Sequence, residues 1–449
     1  MNRKSIIKYS LLFILFFSSM IFFYIPFRMD TYVNYGFSYG IANGQIPYRD
    51  FNIIVPLFGP FLYSIGLIIN KSIIVYYIEQ AILLVAFCYY WFKLMKEKAW
   101  IVIVSLFCPF IFCFAYCIFP GYNFIILFEL LLLLYLNENN KSDYLIGILC
   151  GLSIITKQNV GIPIFLVTLI YPIIKDKNLK KTFKRLISGL IPLIVFLMYL
   201  LMFNNLKYFI DLCFLGMSDF KHNFQINYFF MALTCLSIII IIIQFIKKKK
   251  INSSYFYLIS YLPVIYPLIE EYHVSLFLFF AFIVFIYNSD IHTIKHIVQI
   301  SYIIIIAFIA SYCFAGKKYF DIVKIYNYHN FPVEYLSQSM KEDSDEIIKL
   351  TKKNNVIFVG DPSKTIFFTS ASRKKLNNYY IMFRGNQGSK GIKGLLKNIE
   401  NEKDVYYVVS DYINCHDKSC QFDTNISKTI SKKYKLVSKL NHFSIYYKK

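Results

Sequence analysis

Charged side chains are scarce in this chain of 449 residues: they make up 16% of it, against about 25% in soluble domains. That scarcity excludes a water-soluble globule. Hydrophobic residues account for 57% and aromatic residues for 19%, and apolar runs recur from Ile6 to about Phe314. Several runs approach or exceed the roughly 17 to 25 residues that a membrane-spanning helix requires. The sequence therefore predicts an α-helical polytopic membrane protein.

Metal and nucleotide motifs are lacking as well. The ten cysteines have no zinc-ligand spacing, and the glycine-rich stretch 385–391 lacks the terminal Lys-Ser/Thr of a phosphate-binding loop. Residues 360–363, Gly-Asp-Pro-Ser, indicate an ordinary turn. Most cysteines fall in or beside apolar runs and are interpreted as packing residues. Cys415 and Cys420 lie in the polar C-terminal region, where a disulfide could form if that region is extracytoplasmic.

Basic residues outnumber acidic ones, 48 to 26. Much of the surplus lies in short loops between apolar runs, so membrane topology accounts for it better than nucleic-acid binding does. The first run, Ile6 to Phe27, follows a basic N-terminus and has no small-residue cleavage site, which predicts an uncleaved first helix with its N-terminus inside. Further runs are centred in 73–92, 99–118, 121–136, 143–156, 160–174, 186–203, 227–246, 254–269, 274–288 and 297–314.

The run from Ile53 to Ile69 is apolar but rich in proline and glycine. If it crossed the bilayer, the basic clusters at 93–98, 175–185 and 247–250 would lie outside, against the positive-inside rule. A segment that is re-entrant or lies along the outer interface leaves all three clusters inside. The prediction is therefore about 11 crossings plus this interfacial or re-entrant segment, with the chain after Gly316 on the outer side.

Two domains are predicted, a transmembrane domain of residues 1–315 and an extracytoplasmic α/β domain of residues 316–449. In the second domain the pattern predicts helices at 343–353 and 390–402 and strands at 356–360, 405–410, 435–440 and 443–447. This domain carries 24 of the 48 basic residues and 13 acidic ones. A cationic external domain could face anionic lipid or polymer, or it could be an ordinary solvated surface.

Polar residues gather on the predicted outer face, where function is expected. Asp30 comes directly after the first helix, and a turn at Asn43-Gly44 is expected to bring Arg49 and Asp50 back toward it. An acid this close to the bilayer edge is easily solvated, so Asp30 alone could also be a boundary residue. The other outer stretches are the turn at 120–123, Lys157-Gln158-Asn159, the loop 204–227 and the polar group 270–273.

With these residues the sequence resembles the GT-C superfamily of polyprenyl-phosphate-sugar-dependent glycosyltransferases, which includes the protein O-mannosyltransferases and the aminoarabinose transferases acting on lipid A. The resemblance covers most of the first 315 residues as architecture, but its motifs amount to about twenty residues. They are the acid after helix one, Gly-Gln-Ile-Pro-Tyr-Arg-Asp-Phe at 44–51 followed by Val55-Pro56, Thr156-Lys157-Gln158, the Tyr272-His273 pair and an external α/β tail.

The resemblance implies a transferase whose site lies at the outer membrane face, with Asp30 as the base toward the acceptor hydroxyl. Arg49 and Lys157 are candidates to hold the lipid phosphate, and Lys157 is the stronger of the two because it interrupts two apolar runs. Its alternative is a plain loop lysine. The remaining predicted substrate-binding residues are Asp50, Gln158, Glu271 and His273.

The implied partners are a polyprenyl-phosphate-linked sugar donor, a glycan, lipid or protein acceptor, and membrane lipids, with no nucleic acid. The implied location is the plasma membrane. No cofactor is required, although a divalent cation could bind Asp30 and Asp50, and two carboxylates seldom suffice for one. The chain departs from the family pattern at Thr31, Val55 and Asn123, where many members have an acid, a proline and an acid, so metal use and acceptor class stay open.

Two rival functions remain. A transporter or flippase for a lipid-linked saccharide would need polar residues through the whole bilayer depth, of which Glu79 and Glu129 in apolar runs are the only hints; such acids usually face the bundle interior. A non-catalytic membrane scaffold would tolerate replacement of Asp30, Lys157 and His273.

Overall fold

The computed structural model of the chain describes residues 3–22, 29–96, 121–216, 227–248, 252–266, 269, 271–290, 338–351, 355–360, 362–377, 386–410 and 425–448. The crossings predicted around 99–118 and 297–314 lie outside these residues, as do Cys415 and Cys420. The chain forms two compact units. Unit 1 comprises 1–23, 80–198 and 224–322, and unit 2 comprises 24–79, 199–223 and 323–449.

Helices dominate the first 290 residues. They are α1 (Arg3–Phe22), α2 (Met29–Ala42), α3 (Phe58–Ile69), α4 (Ile73–Met95), α5 (Tyr122–Glu138), α6 (Asp143–Thr156), α7 (Gln158–Asp176), α8 (Leu179–Met202), α9 (Leu206–Ile210, continued by a π-turn Asp211–Leu215), α10 (Tyr228–Lys248), α11 (Ser253–Tyr261, continued by a 3-10 turn Leu262–Ile265) and α12 (Glu271–Asn288).

Four of the described helices, α4, α7, α8 and α10, are long and apolar enough to cross a membrane, which indicates a membrane-associated protein. The predicted count of 11 crossings stays a prediction. Helix α3 contains 12 residues and is about 18 Å long, well short of a hydrocarbon core of about 30 Å. That Ile53 to Ile69 does not cross stays a prediction, because other predicted crossings, such as α6 with 14 residues, are also short.

Unit 1 is held together by aromatic packing and by small residues between helices. Trp91 and Phe87 of α4 pack on Phe279 of α12. Between α6 and α8 the backbones come close: a Cβ at Gly151 would lie 2.1 Å from the carbonyl oxygen of Gly189. Small residues permit such close approach of membrane helices, so a larger side chain at Gly151 would force α6 and α8 apart.

The C-terminal part of unit 2 is an α/β domain. Its elements are α13 (Gln338–Thr351), β1 (Asn355–Val359), α14 (Pro362–Ala371), α15 (Gly391–Asn401), β2 (Val405–Ser410), α16 (Asn425–Lys433), β3 (Lys435–Lys439) and β4 (Phe443–Lys448). The strands form one sheet in the order β1-β2-β4-β3, with β1 and β2 parallel and the other pairs antiparallel. All four predicted strands are present within two residues. Helices α14 and α16 were not predicted, and Pro362, expected in a turn, opens α14.

The two faces of this sheet have different coverings. On one face, Phe368 of α14 packs against Phe443 of β4, with ring centroids 4.4 Å apart, and Phe358 of β1 lies beside the same ring. The opposite face is covered by α15 and α16. The core on that side consists of Ile357, Val359, Leu395, Ile399, Val405, Tyr407, Val409, Ile426, Ile430 and Tyr434.

Candidate functional site

Asp30, the predicted catalytic base, lies in the first turn of α2, Met29–Ala42. The position of its side chain is outside what the structure describes, so its role stays a prediction. The expected turn at Asn43-Gly44 is present: Gly44 has a φ of +72°, a conformation that glycine adopts without strain. Helix α2 therefore ends where the sequence indicates, and the chain turns into the segment that carries Arg49 and Asp50. Phe51 of this segment contacts Gly40 near the end of the helix, about 15 Å along it from Asp30, so the expected approach of Arg49 and Asp50 to Asp30 stays a prediction.

Arg49 and Asp50 form a local ion pair, with Arg49 Nε 3.0 Å from Asp50 Oδ1. The second carboxylate oxygen of Asp50 accepts a hydrogen bond from the backbone N–H of Ile46 at 2.8 Å, so Asp50 closes the loop that it belongs to. The Arg49 side chain is 46% exposed, and its two terminal nitrogens make no hydrogen bond to a described residue. Those nitrogens are the part of this pair that could bind an anion.

The buried side chain of Tyr48 anchors the loop that carries Arg49 and Asp50. Its φ is +70°, it is almost fully buried, and its hydroxyl donates to the carbonyl oxygen of Val55 at 3.0 Å. Complete burial raises the pKa of Tyr48 well above its usual value. Asn205 donates to the carbonyl of Pro47 at 3.1 Å, which joins the loop to the 199–223 segment of the same unit.

The α/β domain is clamped to this loop by side chain to backbone hydrogen bonds. Gln45 donates to the carbonyl of Leu376 at 2.8 Å and accepts from the N–H of Leu376 at 3.0 Å. Asn52 donates to the carbonyl of Asn386 at 2.9 Å. Sequence reasoning did not find this role for Gln45, because its partner lies 331 residues away and carries no polar side chain.

The glycine-rich stretch binds a carboxylate of its own chain. Ser389 N–H donates to Asp211 Oδ1 at 3.1 Å, and a Cβ at Gly388, whose φ is +66°, would lie 2.1 Å from Asp211 Oδ2. Glycine is required there both for the left-handed backbone and for the contact. The loop serves as an attachment point between the α/β domain and residues 199–223.

Unit 1 contains the other predicted cation. Lys157 has an extended backbone, φ −154° and ψ 103°, between α6 and α7, and it is 7% exposed. Its Nζ donates to Asn123 Oδ1 at 2.8 Å and lies 5.7 Å from the centre of the Tyr122 ring. This hydrogen-bond partner is a neutral amide, at the position where many members of the GT-C superfamily carry an acid.

The residues around Lys157 hold it in place. Thr156 donates to Glu129 Oε1 of α5 at 2.7 Å, and Glu129 is 3% exposed, which confirms that this acid faces the interior. On the other side of Lys157, Asn159 donates to the carbonyls of Pro263 and Tyr266 at 3.2 and 3.4 Å. Asn159 directly follows the Lys157-Gln158 motif, and its capping of the 3-10 turn was not predicted.

Gln158, Glu271 and His273 lie at helix starts in unit 1. Gln158 opens α7, and Glu271 opens α12, two residues before the half-buried His273. The side chain of Glu271 is outside the described part of the structure. Asn159 contacts Tyr266, which precedes Glu271 by five residues, and the N–H of Asn227 donates to Ile269 O at 3.1 Å. The N-terminus of α7, the end of the 3-10 turn Leu262–Ile265 and the N-terminus of α10 therefore lie close together at one end of unit 1.

No group of three His, Cys, Asp or Glu side chains among the described residues could hold a metal ion. Of the pair proposed for a divalent cation, Asp50 is engaged by Arg49 and Ile46. No protein-family model, curated protein or solved structure matches the chain. The functional conclusion therefore depends on the residues themselves.

Proposed function

We propose that the protein is a membrane glycosyltransferase that moves a sugar from a polyprenyl-phosphate carrier to an acceptor outside the cytoplasm. The observation that carries the proposal is Lys157, a buried cation at a break between two apolar helices, hydrogen-bonded to the amide of Asn123. Charged residues among membrane helices are costly and usually serve a function. A lipid phosphate is the anion that a membrane protein of this composition would meet beside such a lysine.

The chemistry assigns different tasks to the cations and the acid. A lipid phosphate is a good leaving group that needs its charge neutralised, and Lys157 or Arg49 would supply hydrogen bonds to it. The acceptor hydroxyl gains from a carboxylate that removes its proton as it attacks the sugar, and Asp30 would be that base. The reaction needs no cofactor; a divalent cation would enter only through Asp30 and Asp50, whose carboxylate Arg49 already binds.

Donor binding is tested with the purified chain in lipid nanodiscs and a photoreactive polyprenyl phosphate without sugar. Lys157→Ala is expected to weaken labelling by about 10-fold or more, since a charge-assisted hydrogen bond contributes about 1.5–3 kcal/mol, and Lys157→Arg is expected to restore part of it. Lys175→Ala, at the other end of α7, is the matched control. Unchanged labelling of Lys157→Ala would leave Lys157 as a loop lysine.

Catalysis is tested separately with a panel of polyprenyl-phosphate sugars, because the sugar is not specified by the residues. Asp30→Asn is expected to abolish transfer while keeping binding of the photoreactive carrier, and loss of a general base typically lowers the rate by about 10²–10⁴-fold. Wild-type turnover in Asp30→Asn would remove Asp30 from the mechanism. If Asp30, Lys157 and His273 could all be replaced without effect, the scaffold would be the better description.

One observation favours the transporter as a second candidate. Helix α5 carries three buried polar residues, Asn123, Glu129 and Asn137, spread over 15 residues or about 21 Å. Each is hydrogen-bonded to a residue outside α5, Asn123 to Lys157, Glu129 to Thr156 and Asn137 to Tyr257. These bonds would have to break for a polar headgroup to pass, which is why the transferase is preferred. Movement of a fluorescent lipid-linked saccharide across proteoliposomes, lost in Glu129→Leu, would reverse that preference.

A further inference from the structure

Two helices of the α/β domain carry a surface of lysines. Helices α15 and α16 turn apolar pairs spaced by four residues toward the sheet, Leu395 with Ile399 and Ile426 with Ile430. Their exposed side chains are mostly basic, and Glu400 is the one acid within the two helices. The six exposed lysines, called here the α15–α16 lysine surface, are Lys390, which directly precedes α15, and Lys393, Lys397, Lys428, Lys432 and Lys433.

The side chains of these six lysines form no ion pair or hydrogen bond with a described residue, whereas Lys349 and His442 of the same unit pair with acids. The spacing is also unfavourable for the helices themselves, because Lys393 and Lys397 repel each other across one turn, as do Lys428 and Lys432. A helix that needed only solubility would gain from alternating Glu and Lys. The repulsion is relieved when an external anion lies between the lysines.

Positive charge is not spread evenly over the domain. Helix α13 contains four acids and two lysines, and its Asp343 binds the β3–β4 turn through Asn441 and His442. Helix α13 therefore carries more acids than lysines, whereas α15 and α16 together carry five lysines and one acid.

The position of the lysine surface within unit 2 favours a dissolved polymer over a lipid bilayer as its partner. Helix α14, on the other face of the sheet, packs on α2, where a Cβ at Gly36 would lie 3.0 Å from Ile366 Cδ1. Helix α3 packs on α2 and exposes an apolar stripe, Phe61, Ile65 and Ile68, which is suited to lipid. The sheet separates the lysine surface from α2, so lysines and apolar stripe would not reach the same flat membrane.

We propose that the α15–α16 lysine surface binds an extended polyanion that carries phosphate or carboxylate groups along its length. Lysine is a point-charge donor that suits repeated anionic groups without demanding one geometry, and lysines on two adjacent helices offer several contacts to one chain. The binding itself stands apart from the transferase activity. That the polymer is the acceptor of the transferred sugar rests on the proposed function.

The test measures binding of fluorescent long-chain polyphosphate, and separately poly-glutamate, to the full chain in zwitterionic nanodiscs. The variant replaces Lys393, Lys397, Lys428 and Lys432 by Gln; its matched control replaces the exposed Lys341, Lys349, Lys375 and Lys435, with the same change in net charge. The first variant is expected to weaken polymer binding by about 10-fold or more. Its affinity should also depend less on salt concentration, because fewer lysine contacts release fewer counterions on binding. Preference for one polymer identifies the anionic group.

Three outcomes would overturn the proposal. Neither polymer binds the wild-type chain, or both quadruple variants weaken binding equally, or the surface lysines are required for capture of anionic lipid vesicles while the polymers do not compete. Donor photolabelling through Lys157 is measured on the same samples. Loss of polymer binding with intact photolabelling separates failure of this surface from failure of the proposed transferase.

Discussion

Polar side chains find different partners in the two units of this protein. In unit 1 most of the long-range hydrogen bonds of the described polar side chains join two side chains, as in Lys157 with Asn123, Thr156 with Glu129, and Gln244 with Ser289. In unit 2 most of them reach the backbone, as in Gln45 with Leu376 and Asn52 with Asn386.

The difference follows from what each unit is made of. A helix satisfies most of its own backbone N–H and C=O groups, so a polar side chain buried among apolar helices finds its partners mainly among other side chains. The loops of unit 2 leave backbone groups that must find partners elsewhere. Unit 1 should therefore be sensitive to loss of charge or hydroxyl pairs, and unit 2 to loss of amide side chains that cap loops.

The largest effect is expected at the ion pair of Arg185 and Asp143 in unit 1, where the atoms are 2.8 Å apart and the side chains are 6% and 18% exposed. Asp143→Ala leaves a guanidinium buried without its acid and is expected to lower the free energy of unfolding by about 3 kcal/mol. Thermal unfolding in detergent measures it.

Asp176 provides the control in the same unit. It pairs with Lys181 at 2.7 Å, but both side chains are 35% exposed, and such pairs contribute at most about 1 kcal/mol. Equal destabilisation by Asp143→Ala and Asp176→Ala would contradict the view that unit 1 depends on its buried pairs.

A smaller effect is expected from Gln45→Ala in unit 2. The change leaves both backbone groups of the buried Leu376 without their partner, at a cost of about 2 kcal/mol, and it should loosen the α/β domain. Hydrogen exchange at residues 374–377 is the measurement. Asn43→Ala is the control, because it removes only a local hydrogen bond to the carbonyl of Tyr39, four residues away. Equally fast exchange at 374–377 in that variant would show that the loosening is not specific to the loss of Gln45.

Secondary-structure elements could be predicted from the sequence where neighbouring residues determine them. Strand β2 has the predicted bounds, Val405–Ser410, because a run of Val and Tyr residues lies there between Asp404 and Asp411. Helix α16 escaped prediction because three of its nine residues are Ser or Thr and only Ile426 and Ile430 mark its buried side. The contact of Gly388 with Asp211 could not be inferred from the sequence, because the two residues are far apart along the chain.

The candidate site shows the same limit. Lys157 stands out in the sequence as a cation between apolar runs, and its burial follows from that setting. The partner Asn123 was noted only as a departure from the family pattern, since a pair 34 residues apart depends on how α5 packs against the break before α7. Arg49 and Asp50 were assigned to substrate, whereas the structure gives Asp50 a loop-closing contact with Ile46.

The smallest expected effect concerns Tyr48 and depends on pH. Its phenol is neutral in the folded chain because burial raises its pKa, whereas in the unfolded chain it ionises near pH 10. Its contribution to stability is therefore complete below pH 10 and declines above it, by up to about 1.4 kcal/mol per pH unit. Tyr48→Phe loses the hydrogen bond to Val55 and is expected to be less stable than the wild type by about 1 kcal/mol at neutral pH. Phenylalanine does not ionise, so the stability of the variant does not decline above pH 10, and the two stabilities should converge there.

Unfolding of both proteins is measured by denaturant titration between pH 7 and 11, with Tyr228→Phe, a change at a 75% exposed side chain, as the control. Parallel stability curves for wild type and Tyr48→Phe would mean that the phenol ionises in place, and the loop beneath Arg49 and Asp50 would then be open to water rather than sealed by Tyr48.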